Sequence, residues 1–204
     1  YGVGQYVDTS MLDGAVSWLP VLANDYFVKG VSPKAAENIL NGQNACYEVY
    51  ETADGRYISI GAIEPHLWAN FCDAIGKEEF KLWQRDLTKQ DEMFACLREM
   101  FKSKTQAEWI EKLTGVDCCW APVKNLEEVF ADPQVLARDM VYEMTDPAGC
   151  YGSVKMIGSA VKLSETPARQ ELFPPRKGEH NAEYLKAVGY SDEQIAEFEK
   201  NGII

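Results

Sequence analysis

The chain has 204 residues, 46% of them hydrophobic, enough for one large domain or for a domain and part of another. A net charge of −12 and no basic stripe argue against nucleic-acid binding and against long-range attraction of anions. No apolar run reaches the roughly 18 residues of a membrane span and no basic n-region marks a signal peptide, so no membrane partner and a cytoplasmic location are expected.

In chain order, Gln5-Tyr6-Val7 reads as a short strand. Asp8, Thr9 and Ser10 then offer oxygens to cap a helix over residues 11–27, which Pro20 kinks or divides. Residues 29–44 carry turn chemistry with little apolar periodicity and read as a linker. Two alternating segments, 46–51 and 56–61, flank Asp54-Gly55 and predict a β-hairpin. Pro65 opens a helix that Gly76 closes, with Leu67, Trp68, Phe71 and Ile75 at helical spacing. A second helix is predicted over 89–102, and a third from Thr105, where Thr105-Gln106-Ala107-Glu108 fits a capping box. A buried strand over 118–123 follows, then short helices at Asn125 and at Asp132-Pro133. Segments 140–144 and 153–157 predict a strand pair around the turn Asp146-Pro147-Ala148-Gly149. Residues 163–177 read as a second linker, and Ser191 caps a last helix with Ile195 and Phe198 on its apolar face.

Six cysteines (Cys46, Cys72, Cys96, Cys118, Cys119 and Cys150) include no C-x-x-C pair, and the histidines are only His66 and His180. That spacing gives no zinc cluster, so no metal is expected, and the cysteines read as reduced, buried small hydrophobes.

The best functional candidate is the junction Gly61-Ala62-Ile63-Glu64-Pro65, where a strand runs into a carboxylate and a helix-opening proline. At the positive end of a helix dipole Glu64 is favoured as the ionised form and can orient and charge-stabilise a histidine. The plainer reading is a helix-capping glutamate. His66 points differently from Glu64 and reads as a surface residue, and His180 reads as a local cap. Tyr47 can present its phenol to a pocket from the hairpin, although strand tyrosines commonly only pack. Gly2-x-Gly4 lacks the third glycine of a dinucleotide site, and Ser10, Ser59 and Ser153 have no nucleophile elbow around them. The residues alone yield one orienting carboxylate and no acid–base pair.

These motifs resemble the C-terminal portion of family III CoA-transferases, the CaiB/BaiF superfamily. The resemblance rests on the run Gly4-Gln5-Tyr6-Val7-Asp8 through Gly14, and on Tyr47 with Tyr50-Glu51-Thr52-Ala53-Asp54-Gly55. It extends to Cys119 with Pro122-Val123, to Gly178-Glu179-His180 and to Gly189-Tyr190-Ser191. The Glu64-Pro65 junction is similar to the α-methylacyl-CoA racemase branch. The resemblance implies an α/β fold: a small α+β domain over 45–162, with 1–44 and 163–204 (a helix, linkers and terminal helices) belonging to a Rossmann-like large domain. It also implies an interlocked homodimer, with the active site between the large domain of one subunit and the small domain of the other. The implied substrate is an acyl-CoA thioester, with no cofactor beyond that CoA. Its α-proton is removed and returned by a histidine and an aspartate that lie before Tyr1. Glu64 matches a glutamate that reaches the catalytic histidine of the partner subunit, Tyr47 matches a substrate-pocket tyrosine, and Ile63 and Pro65 border the same pocket. Two alternatives stand beside this one: a CoA-transferase working through an aspartyl anhydride, and a noncatalytic fragment that needs an N-terminal chain. A start at Tyr1-Gly2 without methionine fits a piece of a longer protein that is inactive alone.

Overall fold

The computed structural model describes residues 2–147, 149–168 and 172–204, which form two compact units divided between Val123 and Lys124. The first unit opens with an arm. Residues 2–10 have no regular structure, and α1 (Met11–Val16) and α2 (Pro20–Lys29) follow. The strand expected at Gln5-Tyr6-Val7 does not form. Alternation is not enough without an edge to pair with, and Tyr6 stays 91% exposed. Ser10 Oγ accepts the Leu12 and Asp13 N–H groups, as a cap should. Pro20, which has no N–H to donate, starts a second helix rather than bending one long one. Neither helix buries a residue, and Met11, Trp18 and Phe27 are exposed.

The hairpin forms as predicted, with β1 (Tyr47–Glu51) antiparallel to β2 (Tyr57–Gly61) and Tyr47 opposite Gly61. Gly55 takes φ +71° in its turn, where an L side chain would be strained. A third strand, β3 (Trp120–Pro122), adds antiparallel to β2. The buried strand expected over 118–123 is therefore shorter and lies at an edge. Cys118 is buried, but Cys119 turns left-handed at φ +48°, so the ladder begins only at Trp120.

Helices cover one face of this sheet. They are α3 (Pro65–Ile75), the short α4 (Phe80–Trp83), α5 (Gln90–Phe101) and α6 (Gln106–Leu113). In α3, Pro65 supplies the first turn and Gly76, at φ +71°, ends it, so Trp68, Phe71, Cys72 and Ile75 share a buried side. The Thr105–Glu108 capping box is formed. Period-two alternation turns Tyr50, Ile58 and Ile60 into this core, where Phe101 stacks on Tyr50 at 4.8 Å and meets Trp109 at 4.5 Å. The Tyr50 hydroxyl donates to the Ala45 carbonyl at 2.7 Å, and Trp109 Nε1 to that of Phe101 at 2.9 Å, so the buried polar tips are satisfied.

The second unit holds α7 (Leu126–Phe130), α8 (Pro133–Ala137), the antiparallel pair β4 (Val141–Thr145) and β5 (Ser153–Ile157), α9 (Asn181–Ala187) and α10 (Asp192–Lys200). Asn125, Asp132 and Ser191 cap their helices, and Ile195 is buried. Ala148 of the expected turn and residues 169–171 of the expected second linker lie outside the described residues. Helix and sheet are thus mixed, as the α/β expectation requires. The cysteines need one correction: Cys46, Cys72 and Cys118 are buried free thiols, but Cys119 and Cys150 are exposed, because each follows a turn rather than an apolar face.

Candidate active site

The sheet face away from the helices is open and floors a cleft of about 450 Å³. Tyr47, Val49, Ser59, Gly61 and Ala121 line it from the strands and Cys119 from just before β3, and Leu40, Asn41 and Gly42 wall one side. Its deepest constraint is Gly61. A Cβ there would lie 3.3 Å from Cys119 Sγ and 3.7 Å from Tyr47 Cε2, so glycine keeps the space between the phenol ring and the thiol open. The left-handed Cys119 backbone also aims its carbonyl at the Gly61 N–H, 2.7 Å away.

Beyond Gly61 the chain leaves the ladder and is held by one local and several long-range hydrogen bonds. The Ala62 N–H donates to the Cys46 carbonyl at 2.9 Å, and the Ile63 N–H to the Gly61 carbonyl at 3.0 Å. The Ala62 and Ile63 carbonyls both accept from Gln84 Nε2, at 3.0 and 2.9 Å. The Arg85 guanidinium adds a long contact to the Ile63 carbonyl at 3.4 Å. The next residue is Glu64, the N-cap of α3, with extended φ −69° and ψ 135°. Its carbonyl accepts the Trp68 N–H at 3.1 Å, but its carboxylate caps nothing and is exposed. The first-turn N–H groups of α3 are therefore not capped by this carboxylate.

Among the sequence-derived candidates, Tyr47 lines the cleft. Ile63, Glu64 and Pro65 follow the cleft residue Gly61 along the chain and are not among its lining residues. Ile63 is partly buried, while Glu64, Pro65 and His66 are exposed. His180 is the N-cap of α9 in the second unit, with Nδ1 3.4 Å from Glu183 and its ring edge-on to Tyr184, a local arrangement. Burial pushes the Cys118 thiol up to about 11 and the Cys72 thiol to about 12, and raises that of Cys46, so these three are poor nucleophiles. Among the described residues no cluster of three metal-ligating side chains occurs, and no helix is long and apolar enough to cross a membrane. Sequence reasoning missed Gln84, which follows an unforeseen four-residue helix and acts on carbonyls more than twenty residues away. It also missed the place of Cys119 in the cleft, although Cys119 stands in the motif that carried the family resemblance.

Among curated proteins, the chain is 33% identical over 209 residues to an acyl-CoA transferase of Fusarium pseudograminearum, covering 100% of this chain and 45% of that protein. It is 31% identical over 205 residues to the α-methylacyl-CoA racemase of Mus musculus, covering 100% of this chain and 52% of that one. The chain thus spans about half the length of the curated relatives it matches. Among solved structures, a CaiB/BaiF family protein from Brucella suis has a similar fold, with a TM-score of 0.68 at 24% identity, over 92% of this chain and 49% of that one. Transferase and racemase relatives stand at nearly equal identity, so similarity fixes the family and not the branch. With the CoA-transferase family III model matched across residues 1–181, this chain belongs to that family.

Proposed function

We propose that the full-length protein is an acyl-CoA racemase or epimerase that interconverts 2-methylacyl-CoA stereoisomers. The observation that carries this reading is Glu64: an exposed carboxylate on a pinned backbone, at a helix N-terminus, with no hydrogen bond to the helix it opens. Such a group is available to a partner that this chain does not supply. In the proposed reaction a base takes the α-proton from one face of the thioester, leaving an enolate. An acid then returns a proton to the opposite face. Hydrogen bonding stabilises the enolate oxygen in between. Glu64 orients the histidine of that acid–base pair and stabilises its charged form. Tyr47 offers its phenol and ring to the acyl chain in the cleft, and Ile63 and Pro65 border the bound substrate. No cofactor beyond the substrate's own CoA is needed. In this reading residues 45–162 form a small domain, 1–44 and 163–204 belong to a large one, and two chains interlock as a homodimer in the cytoplasm. The bare apolar surface of α1, α2 and the link between them supports that division, since Met11, Trp18 and Phe27 need cover.

The test is α-proton exchange. The full-length protein incubated with one stereoisomer of a 2-methylacyl-CoA in deuterated water is expected to incorporate deuterium and invert the centre. Acyl exchange between CoA thioesters and free carboxylic acids, with no deuterium at the α-carbon, overturns the reading. That outcome favours a CoA-transferase working through an aspartyl anhydride, a reading supported by the 33% identity to an acyl-CoA transferase.

A further inference from the structure

The carboxylate of Glu64 has no hydrogen bond or ion pair among the described residues, so the chain fixes only its backbone, the point and direction from which the side chain leaves. That backbone runs from the last ladder residue, Gly61, to the first helical residue, Pro65, and of its groups the Ala62 and Ile63 carbonyls have no partner in the sheet ladder or the helix. Two consecutive carbonyls in this gap, of Ala62 and Ile63, converge on one side-chain nitrogen, Gln84 Nε2, at 3.0 and 2.9 Å. A carboxamide has two N–H donors on one atom and carries no charge, which suits it to clamp two successive carbonyls inside a core. Gln84 is only 6% exposed, so water does not substitute for it readily.

Gln84 is itself held. Gln90, 5% exposed at the start of α5, donates from Nε2 to the carbonyl of Gln84 at 3.3 Å and to that of Asp86 at 2.9 Å. Gln90 Oε1 accepts the Ala45 N–H at 2.9 Å, just before β1. A line of buried amides thus runs from the strand lead-in through the start of α5 to the junction. The Cys46 thiol also meets the Gln84 side chain, and the Cys46 carbonyl holds the Ala62 N–H.

We propose that Gln84 is a positioning residue for Glu64: its amide clamps the Ala62 and Ile63 carbonyls and thereby aims the Glu64 carboxylate. The proposal rests on the role given to Glu64 above, and a double-mutant cycle in the full-length protein separates the two. The variants are Gln84→Met, which keeps the side-chain length and removes both donors, Glu64→Gln, and the pair together. Each is read by α-proton exchange for kcat and KM and by thermal melting for folding. Gln84→Met alone is expected to lower kcat about tenfold or more with KM within about twofold, since small displacements of a catalytic group are costly. In the Glu64→Gln background it is expected to cost nothing further, because there is no longer a carboxylate to aim. Equal losses in both backgrounds, tracking a lowered melting temperature, make Gln84 a core residue and overturn the proposal. So does an unchanged kcat for Gln84→Met while Glu64→Gln is impaired. An unchanged rate for Glu64→Gln itself overturns the reading of Glu64, and this proposal with it. If Gln84→Met does not fold, Gln84→Glu, of the same size, carries the cycle. Failure of both to fold also overturns the proposal.

Discussion

Replacing Glu64 by serine is expected to make the protein more stable and less active at once. The N-cap backbone at position 64 is extended, with φ −69° and ψ 135°, the conformation from which a short hydroxyl accepts an N–H of the first helical turn. Pro65 has no N–H, so the donors are the N–H groups of His66 and Leu67, which the Glu64 side chain leaves uncapped. A serine cap gained there is worth about 1 kcal/mol, offset in part by the lost charge–dipole attraction of about 0.3–1 kcal/mol. The first unit should therefore melt at an equal or higher temperature, by up to about 4 °C. The same substitution removes the carboxylate proposed to hold a histidine, and an acid–base contribution of this kind is worth about a hundredfold in kcat, or ~2.7 kcal/mol. Calorimetry gives the first quantity and α-proton exchange the second. A serine variant that melts no lower and works at the parent rate refutes the role of Glu64. One that loses both in proportion shows the carboxylate to be structural.

Two further outcomes follow from the same unit. Its stability should fall as pH rises above about 9, because burial raises the Cys72 thiol from its ordinary 9.0 to about 12 and the Cys118 thiol to about 11, and raises the Tyr50 phenol as well. The unfolded chain loses these protons first, so stability is full below about pH 9 and declines by up to about 1.4 kcal/mol per pH unit for each thiol. A urea midpoint that does not move between about pH 8 and about pH 10 contradicts this. Gly61→Val places methyl groups between Tyr47 and Cys119, where a Cβ already lies 3.3 Å from Cys119 Sγ. Its KM for acyl-CoA should rise about tenfold with a melting temperature close to the parent's, since valine suits a strand. An unchanged KM removes the cleft from the site.

Features fixed by local dihedral preference were legible in the sequence. Asp54-Gly55 set the hairpin turn, and Pro65 and Gly76 set both ends of α3. Thr105 and Ser191 each announced a capping box that is present, and Asn125 announced a helix start. Features fixed at long range were not legible. Gln5-Tyr6-Val7 has the alternation of a strand but no partner among the described residues, and the ladder before Trp120 is cut by a left-handed Cys119 that no spacing rule foresees. The importance of Gln84 lies in two carbonyls 22 and 21 residues away. Of the site itself, the sequence showed a carboxylate at a junction and a tyrosine on a strand. It did not show whether that carboxylate was occupied in capping the helix.

The helix ends answer that question. Among the described residues five other helices have an N-cap in the extended conformation, at Ser10, Thr105, Asn125, Asp132 and Ser191, and in every one the side chain accepts a hydrogen bond from the first turn. Glu64 has the same backbone conformation and, alone among these described N-caps, makes no such bond. The difference is not one of burial, since the other caps also lie near the surface, nor of sequence context, since Pro follows both Asp132 and Glu64. It is one of reach: the extra methylene of glutamate carries the carboxylate past the N–H groups that a shorter side chain engages. Where a chain follows a local rule at five sites and departs from it at one, the departure marks the residue under a different demand. Here that residue sits on a backbone clamped by Gln84 and three positions beyond the cleft's Gly61, which favours an orienting carboxylate over a failed cap.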